Sequence, residues 1–225
     1  MGVIETDAGA PPAAKRRSFG GYYLGVIVRP RRTFDALMGD ERRLRLGLTA
    51  LAVNAALYTL VYELLTIAQG APSSFKPWLN VTRAHYYRYD RFWVAASMFG
   101  CLLLAAAVAQ LLSRLFGGRG RFEDLVSVFG FGTAIACLAS LAHDLPDSFL
   151  GAIGVLDQHH YEVLLNTPTI WRAILLTLYG ASMVWFCVLF PKGVGAAQRL
   201  KAAPAIAIGL AAFAVYQGLF FVFNR

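Results

Sequence analysis

Residues 92–112 read FWVAASMFGCLLLAAAVAQLL, a run of 21 residues without one charged side chain. As a helix rising about 1.5 Å per residue it is about 30 Å long, the thickness of a bilayer's hydrocarbon core. A helix also satisfies its own backbone hydrogen bonds, which lipid cannot do for it. Four further runs are similarly apolar, three of them with a single charged residue: 46–68 (Glu63), 125–145 (Asp144), 170–190 (Arg172) and 203–223. The sequence therefore predicts an all-α polytopic membrane helix bundle of about five transmembrane helices within residues 46–223. A tail, 1–18, and an interfacial or cytoplasmic segment, 19–45, precede it. The composition agrees, with 57% hydrophobic and 15% charged residues and a mean hydropathy of +0.53.

The net charge of +8 does not point to nucleic acid. The basic residues form short runs beside the apolar stretches, with no basic domain and no interleaved aromatic platform. They serve better as orientation signals, since loops retained in the cytoplasm are enriched in Lys and Arg. The segment to Arg45 and the connections after the second and fourth runs hold 15 of the 21 basic residues. The N-terminus is accordingly expected in the cytoplasm and the C-terminus outside. The opposing evidence is the first outer loop, with Lys76, Arg83, Arg88 and Arg91. The tail, with Pro11, Pro12 and Lys15 to Arg17, reads as disordered and cytoplasmic rather than as a cleaved signal. Cys101, Cys137 and Cys187 lie within the apolar runs and form neither a disulfide framework nor a metal knuckle.

Phe19 to Val28 is apolar but too short to span, and Pro30 follows it. Phe34, Leu37 and Met38 then recur at helical spacing, with Gly39 as a stop. Two readings fit: an amphipathic segment on the inner leaflet, with Arg29, Arg31 and Arg32 toward anionic headgroups, or a connector packed beneath the bundle. Small residues recur every four positions within the spans: Ser97, Cys101, Ala105, Ala109 and Ser113; Gly132, Ala136 and Ser140; Ala205 with Gly209; Ala214 with Gly218. Such rows let helices approach closely in lipid.

The second inner connection reads Gly117-Gly118-Arg119-Gly120-Arg121-Phe122-Glu123-Asp124-Leu125, followed by Val128, Phe129, Gly130 and Phe131. The glycines permit a tight reversal, and Glu123 and Asp124 suit the positive end of the next helix. Their spacing matches neither a Walker loop nor a dinucleotide fingerprint. This turn, with Gly117, Gly118, Arg119, Phe122 and Glu123 at its centre, resembles the bacterial branch of the Ypt-interacting protein (Yip) family. Val28-Arg29-Pro30 with Thr33-Phe34 resembles that family's approach to its first span, and the Ala-rich fifth run its last. The likeness covers about Ile27 to Phe223. It implies a five-helix protein of the bacterial cytoplasmic membrane, of accessory or organising character. Eukaryotic members bind small GTPases and carry a cytoplasmic Asp-Leu-Tyr-Gly-Pro motif; none precedes Leu46 here, so GTPase binding does not transfer.

Two groups of residues offer chemistry. Glu63, Arg172 and Gln217 fall in the outer parts of the first, fourth and fifth spans, where polar groups must be paired or wet. They are expected to be neighbours, with a Glu63–Arg172 ion pair fixing the packing or marking a solute site. Beyond the third span, His143, Asp144, Asp147, Asp157, His159, His160 and Glu162 form an acidic, histidine-containing stretch. Of these, His143, Asp147, His159 and His160 are the candidates for a divalent metal. Against that, Pro146 is expected to end the helix between His143 and Asp147, and adjacent His159 and His160 point apart. Phe149 to Leu156 is too short to cross and is expected to rest on, or dip into, the outer surface. The Asn80-Val81-Thr82 sequon has meaning only in a glycosylating host. No nucleophile–base set is visible, and no cofactor is called for. The expected function is a non-enzymatic scaffold or accessory protein, partnered by the bilayer and by other membrane proteins or a second copy. The alternatives are a small transporter or channel and, further off, a metal-dependent enzyme at the outer surface.

Overall fold

The structure, a computed structural model, describes residues 17–72, 82 and 85–224. The tail to Arg16, Lys76, Arg83, the first two residues of the sequon and Arg225 lie outside the described residues. The described residues form nine helices and no strand: α1 (Phe19–Val28), α2 (Pro30–Met38), α3 (Arg43–Ile67), α4 (Tyr86–Leu115), α5 (Phe122–Ala136), α6 (Leu138–Ala152), α7 (Gln158–Asn166), α8 (Ile170–Gln198) and α9 (Ala202–Asn224). Four of them, α3, α4, α8 and α9, are each long and apolar enough to cross a membrane. The third expected span is not straight. It is α5 and α6 together, bent by 49° at Cys137. There the Ser140 hydroxyl donates to the Cys137 carbonyl at 3.0 Å and also meets the Tyr58 hydroxyl at 2.7 Å. A serine hydroxyl bonded back to a carbonyl of the preceding turn often accompanies a bend in a helix.

Two further expectations about this region are corrected. Pro146 does not end the helix: it removes one rung, and α6 continues to Ala152. Phe149 to Ala152 therefore close α6 instead of forming a separate surface piece. The short helix is α7, begun where the Asp157 side chain accepts from the His160 N–H at 3.0 Å.

The centre of the bundle is α5, buried on every side from Asp124 to Ala136, as an all-round apolar helix must be. It packs on α3 and α8, while α9 lies against α4 and α8. The α3–α5 crossing brings backbone to backbone at Gly47. A Cβ there would lie 2.5 Å from the Ser127 Cα and 2.6 Å from its carbonyl oxygen, and one on Gly130 would overlap the Gly47 carbonyl. The row Ser97, Cys101, Ala105, Ala109 and Ser113 is wholly buried, and so are Ala205 and Gly209. Ala214 and Gly218 instead face outward, so that pair does not pack within the bundle.

The N-terminal segment is two helices folded onto the bundle. Phe19 rests on Phe131 of α5, with ring centroids 5.8 Å apart, and the Tyr23 hydroxyl donates to the Ala134 carbonyl at 3.4 Å. In α2, Phe34 and Leu37 are fully buried and the helix packs on α8, while Arg29, Arg31 and Arg32 remain exposed. The segment thus packs on the bundle and leaves its arginines exposed. Asp40 fixes the turn into α3. Its carboxylate accepts from the Arg42 side chain and the Tyr22 hydroxyl, and the Arg42 hydrogen bonds lower its pKa to about 2.

The start of α3 and the α4–α5 and α8–α9 reversals share one end, rich in arginine. The start of α4 and the close of α9 share the other, where the Tyr86 hydroxyl donates to the Asn224 carbonyl. These are called the basic end and the hollow end below.

Candidate functional site

The hollow end contains a cavity of about 480 Å³ walled by α3, α4, α6, α7, α8 and α9. Beside it the first part of α8, Ile170 to Gly180, contributes no buried residue. One wall carries a chain of polar groups. The Tyr161 hydroxyl meets His143 Nε2 at 3.1 Å, His143 Nδ1 meets Asp144 Oδ1 at 3.0 Å, and the Tyr179 hydroxyl donates to both Asp144 oxygens at 2.9 Å. Asp147 follows one turn along α6, so the helix that Pro146 fails to break does bring His143 and Asp147 together. Ligand atoms of His143, Asp144 and Asp147 lie within 4.8 Å of one another. These three, rather than the expected set, are the residues that can approach a cation. His159 and His160 are exposed on α7 and are not among those three. Both nitrogens of His143 are already engaged, so a metal would have to displace a hydrogen bond.

The expected Glu63–Arg172 ion pair is not formed. Arg172 and Gln217 both line the cavity. Glu63 instead accepts from Arg91 Nη1 at 2.7 Å, and Arg172 donates to the Asn166 carbonyl at 3.1 Å. The reason is that α4 begins at Tyr86, before its uncharged run, so Arg91 stands on a helix beside α3 rather than in a loop. Sequence reasoning also missed the tyrosines, 58, 62, 86, 87, 161 and 179, which supply much of the cavity's lining or its hydrogen bonding. Their clustering near the hollow-end termini of the helices was the available signal.

Glu162 of α7 is nearly buried, at 6% exposure, and its Oε1 accepts from the Ala71 N–H at 3.0 Å. Burial raises its pKa to about 7, against the lowering effect of that N–H and of Gln158. The folded chain therefore holds this proton more tightly than the unfolded one. The stability this contributes is complete at acid pH and is lost as pH rises through about 7. Glu162→Gln keeps an acceptor for Ala71 and is expected to flatten the fall in melting temperature between pH 5 and 8. Parallel melting curves for the two proteins would check this, identical slopes counting against it.

At the basic end the glycine-rich turn is docked onto the end of α8. The Arg119 N–H donates to the Gln198 carbonyl and the Gly120 N–H to Gln198 Oε1, both at 3.2 Å. Gln198 Nε2 in turn donates to Gln110 Oε1 at 2.9 Å. A Cβ on Gly120 would overlap the Ala197 carbonyl, so the backbone itself is the contact. Gly117, at φ +76°, makes the reversal, while Phe122 and Glu123 open α5 and remain exposed.

A polytopic bundle with one polar, tyrosine-lined recess and no strand among its described residues is an α-helical integral membrane protein. The Yip1 domain family model matches residues 24–223, nearly the whole chain, and the chain belongs to that family. No curated protein and no solved structure is significantly similar to it.

Proposed function

We propose that this chain is a non-enzymatic scaffold or accessory protein of the bacterial cytoplasmic membrane. Its basic end faces the cytoplasm, and it acts on other membrane proteins or a second copy of itself. The observation that supports this over transport is an aromatic plug beneath the cavity. Phe186 and Tyr216 form the cavity floor, with ring centroids 5.5 Å apart. Phe129 and Phe190 stack beneath them at 4.2 Å, both fully buried. The recess ends on packed rings, with a filled core between it and the basic end.

The second reading, a small transporter, has the 480 Å³ recess in its favour. One experiment separates the two. The purified chain in proteoliposomes should pass neither protons nor small ions, and crosslinking in membranes should give the same membrane-protein partner, or a dimer, in independent preparations. Measurable flux with no reproducible crosslink would reject the scaffold. Reporter fusions test the orientation: those after Phe116 and Leu200 should read cytoplasmic and those after Pro77 and Leu156 external. The reverse pattern would overturn it.

A further inference from the structure

A second cavity, of about 400 Å³, opens at the basic end between the α4–α5 turn, the start of α3 and the end of α8. Arg43, Arg119, Arg121 and Arg199 line it against a single carboxylate, Asp124. That carboxylate is already occupied. Its Oδ1 accepts from Arg43 Nε at 2.5 Å and its Oδ2 from the Arg121 backbone N–H at 2.8 Å. The guanidinium groups of Arg119, Arg121 and Arg199 have no carboxylate partner among the described residues, and all three residues are exposed. Three like charges on one rim repel unless an anion joins them.

The backbone beneath these side chains is held firmly. Gln198 fixes the turn at Arg119 and Gly120, as described above, and Gln110 and Arg114 both donate to the Gly120 carbonyl at 3.3 Å. Arg199 has φ +56°, the left-handed conformation in which a helix usually ends on glycine. An arginine is kept there despite the strain. The positive end of the α5 dipole adjoins Arg121, which precedes its first turn. Guanidinium forks and helix N-termini suit phosphate oxygens better than they suit a carboxylate-free solvent face. Leu115, Phe116 and Phe122, all exposed and apolar, flank the turn, as suits a segment at the boundary of headgroups and acyl chains.

We propose that this pocket binds a phosphate group, supplied by the headgroup of an anionic phospholipid in the leaflet at the basic end. The test uses the full chain in phosphatidylcholine-containing micelles, titrated with phosphatidylglycerol, with retained lipid read by native mass spectrometry. The Arg119→Gln/Arg199→Gln variant should bind phosphatidylglycerol at least about tenfold more weakly, as expected for the loss of charge-assisted hydrogen bonds. Lysine at both positions should give an intermediate value, because it keeps the charge without the fork. Arg88→Gln, which removes a charge from the exposed start of α4 at the hollow end, should leave binding unchanged. Melting without anionic lipid should be unaffected in all of these; were the first double variant to misfold, Arg121→Gln alone would carry the comparison. Unchanged affinity in the glutamine variants, or equal retention of phosphatidylcholine, would overturn the site. Inorganic phosphate titrated in place of the lipid distinguishes the sources: much weaker binding supports the headgroup, and equal binding overturns it as the source.

Discussion

Gly130→Ala is expected to lower the stability of the detergent-solubilised protein by about 3 kcal/mol, the upper end of what overpacking a core costs. Its new methyl would overlap the Gly47 carbonyl of α3. Neither partner is a side chain that can rotate away, so the two helices must separate along their whole crossing. Gly47→Ala meets the Ser127 backbone in the same way and should be similarly damaging. The comparison is Gly100→Ala, where nothing lies within 4 Å of the added carbon. There alanine should be neutral or should stabilise by up to about 1 kcal/mol through helix propensity. Melting temperatures for the three variants decide the matter, and a Gly130→Ala protein as stable as Gly100→Ala would remove the close crossing from this account.

Asp124→Ala should be comparably severe, costing about 3 kcal/mol by breaking a largely buried pair and leaving a cation without its partner. The aspartate has two duties. It holds Arg43 at the start of α3, with side-chain exposures of 22% for Arg43 and 13% for Asp124, and it caps the start of α5 through the Arg121 N–H. Arg43→Met removes only the first duty and should cost less. In the double variant the Arg43 charge is no longer stranded, so its loss should fall short of the sum of the single losses. Thermal unfolding of the four proteins measures this coupling; strict additivity would show that the two side chains act independently.

The spans were legible in the sequence because lipid imposes one demand, about 20 apolar residues, and five runs meet it. The break at Cys137 was not, since both sides of it are equally apolar. Position along the helix could also be read: Glu63 and Arg172 both lie toward the hollow-end part of their helices. What hydropathy omits is the direction a residue faces around its helix, and there Arg91, read as part of a loop, was the actual partner of Glu63. The polar recess was half visible, in His143 and Asp147, and was obscured by giving Pro146 a helix-ending force it lacks here. The arginine pocket gathers residues from three distant stretches of chain, and only the folded bundle places them on one rim.

The two ends of the bundle will also differ in how they breathe. At the basic end, backbone approaches backbone and the turn is tied to α8, so an opening there must break many contacts together. At the hollow end α8 buries no residue over Ile170 to Gly180 and meets its neighbours through side chains such as Tyr179 on Asp144 and Trp171 on Tyr161. Openings that leave most of the fold intact therefore start there, and amide protons of α7 and early α8 will exchange with solvent through partial excursions that never reach α5. The basic end is thus expected to resist opening and the hollow end to yield first.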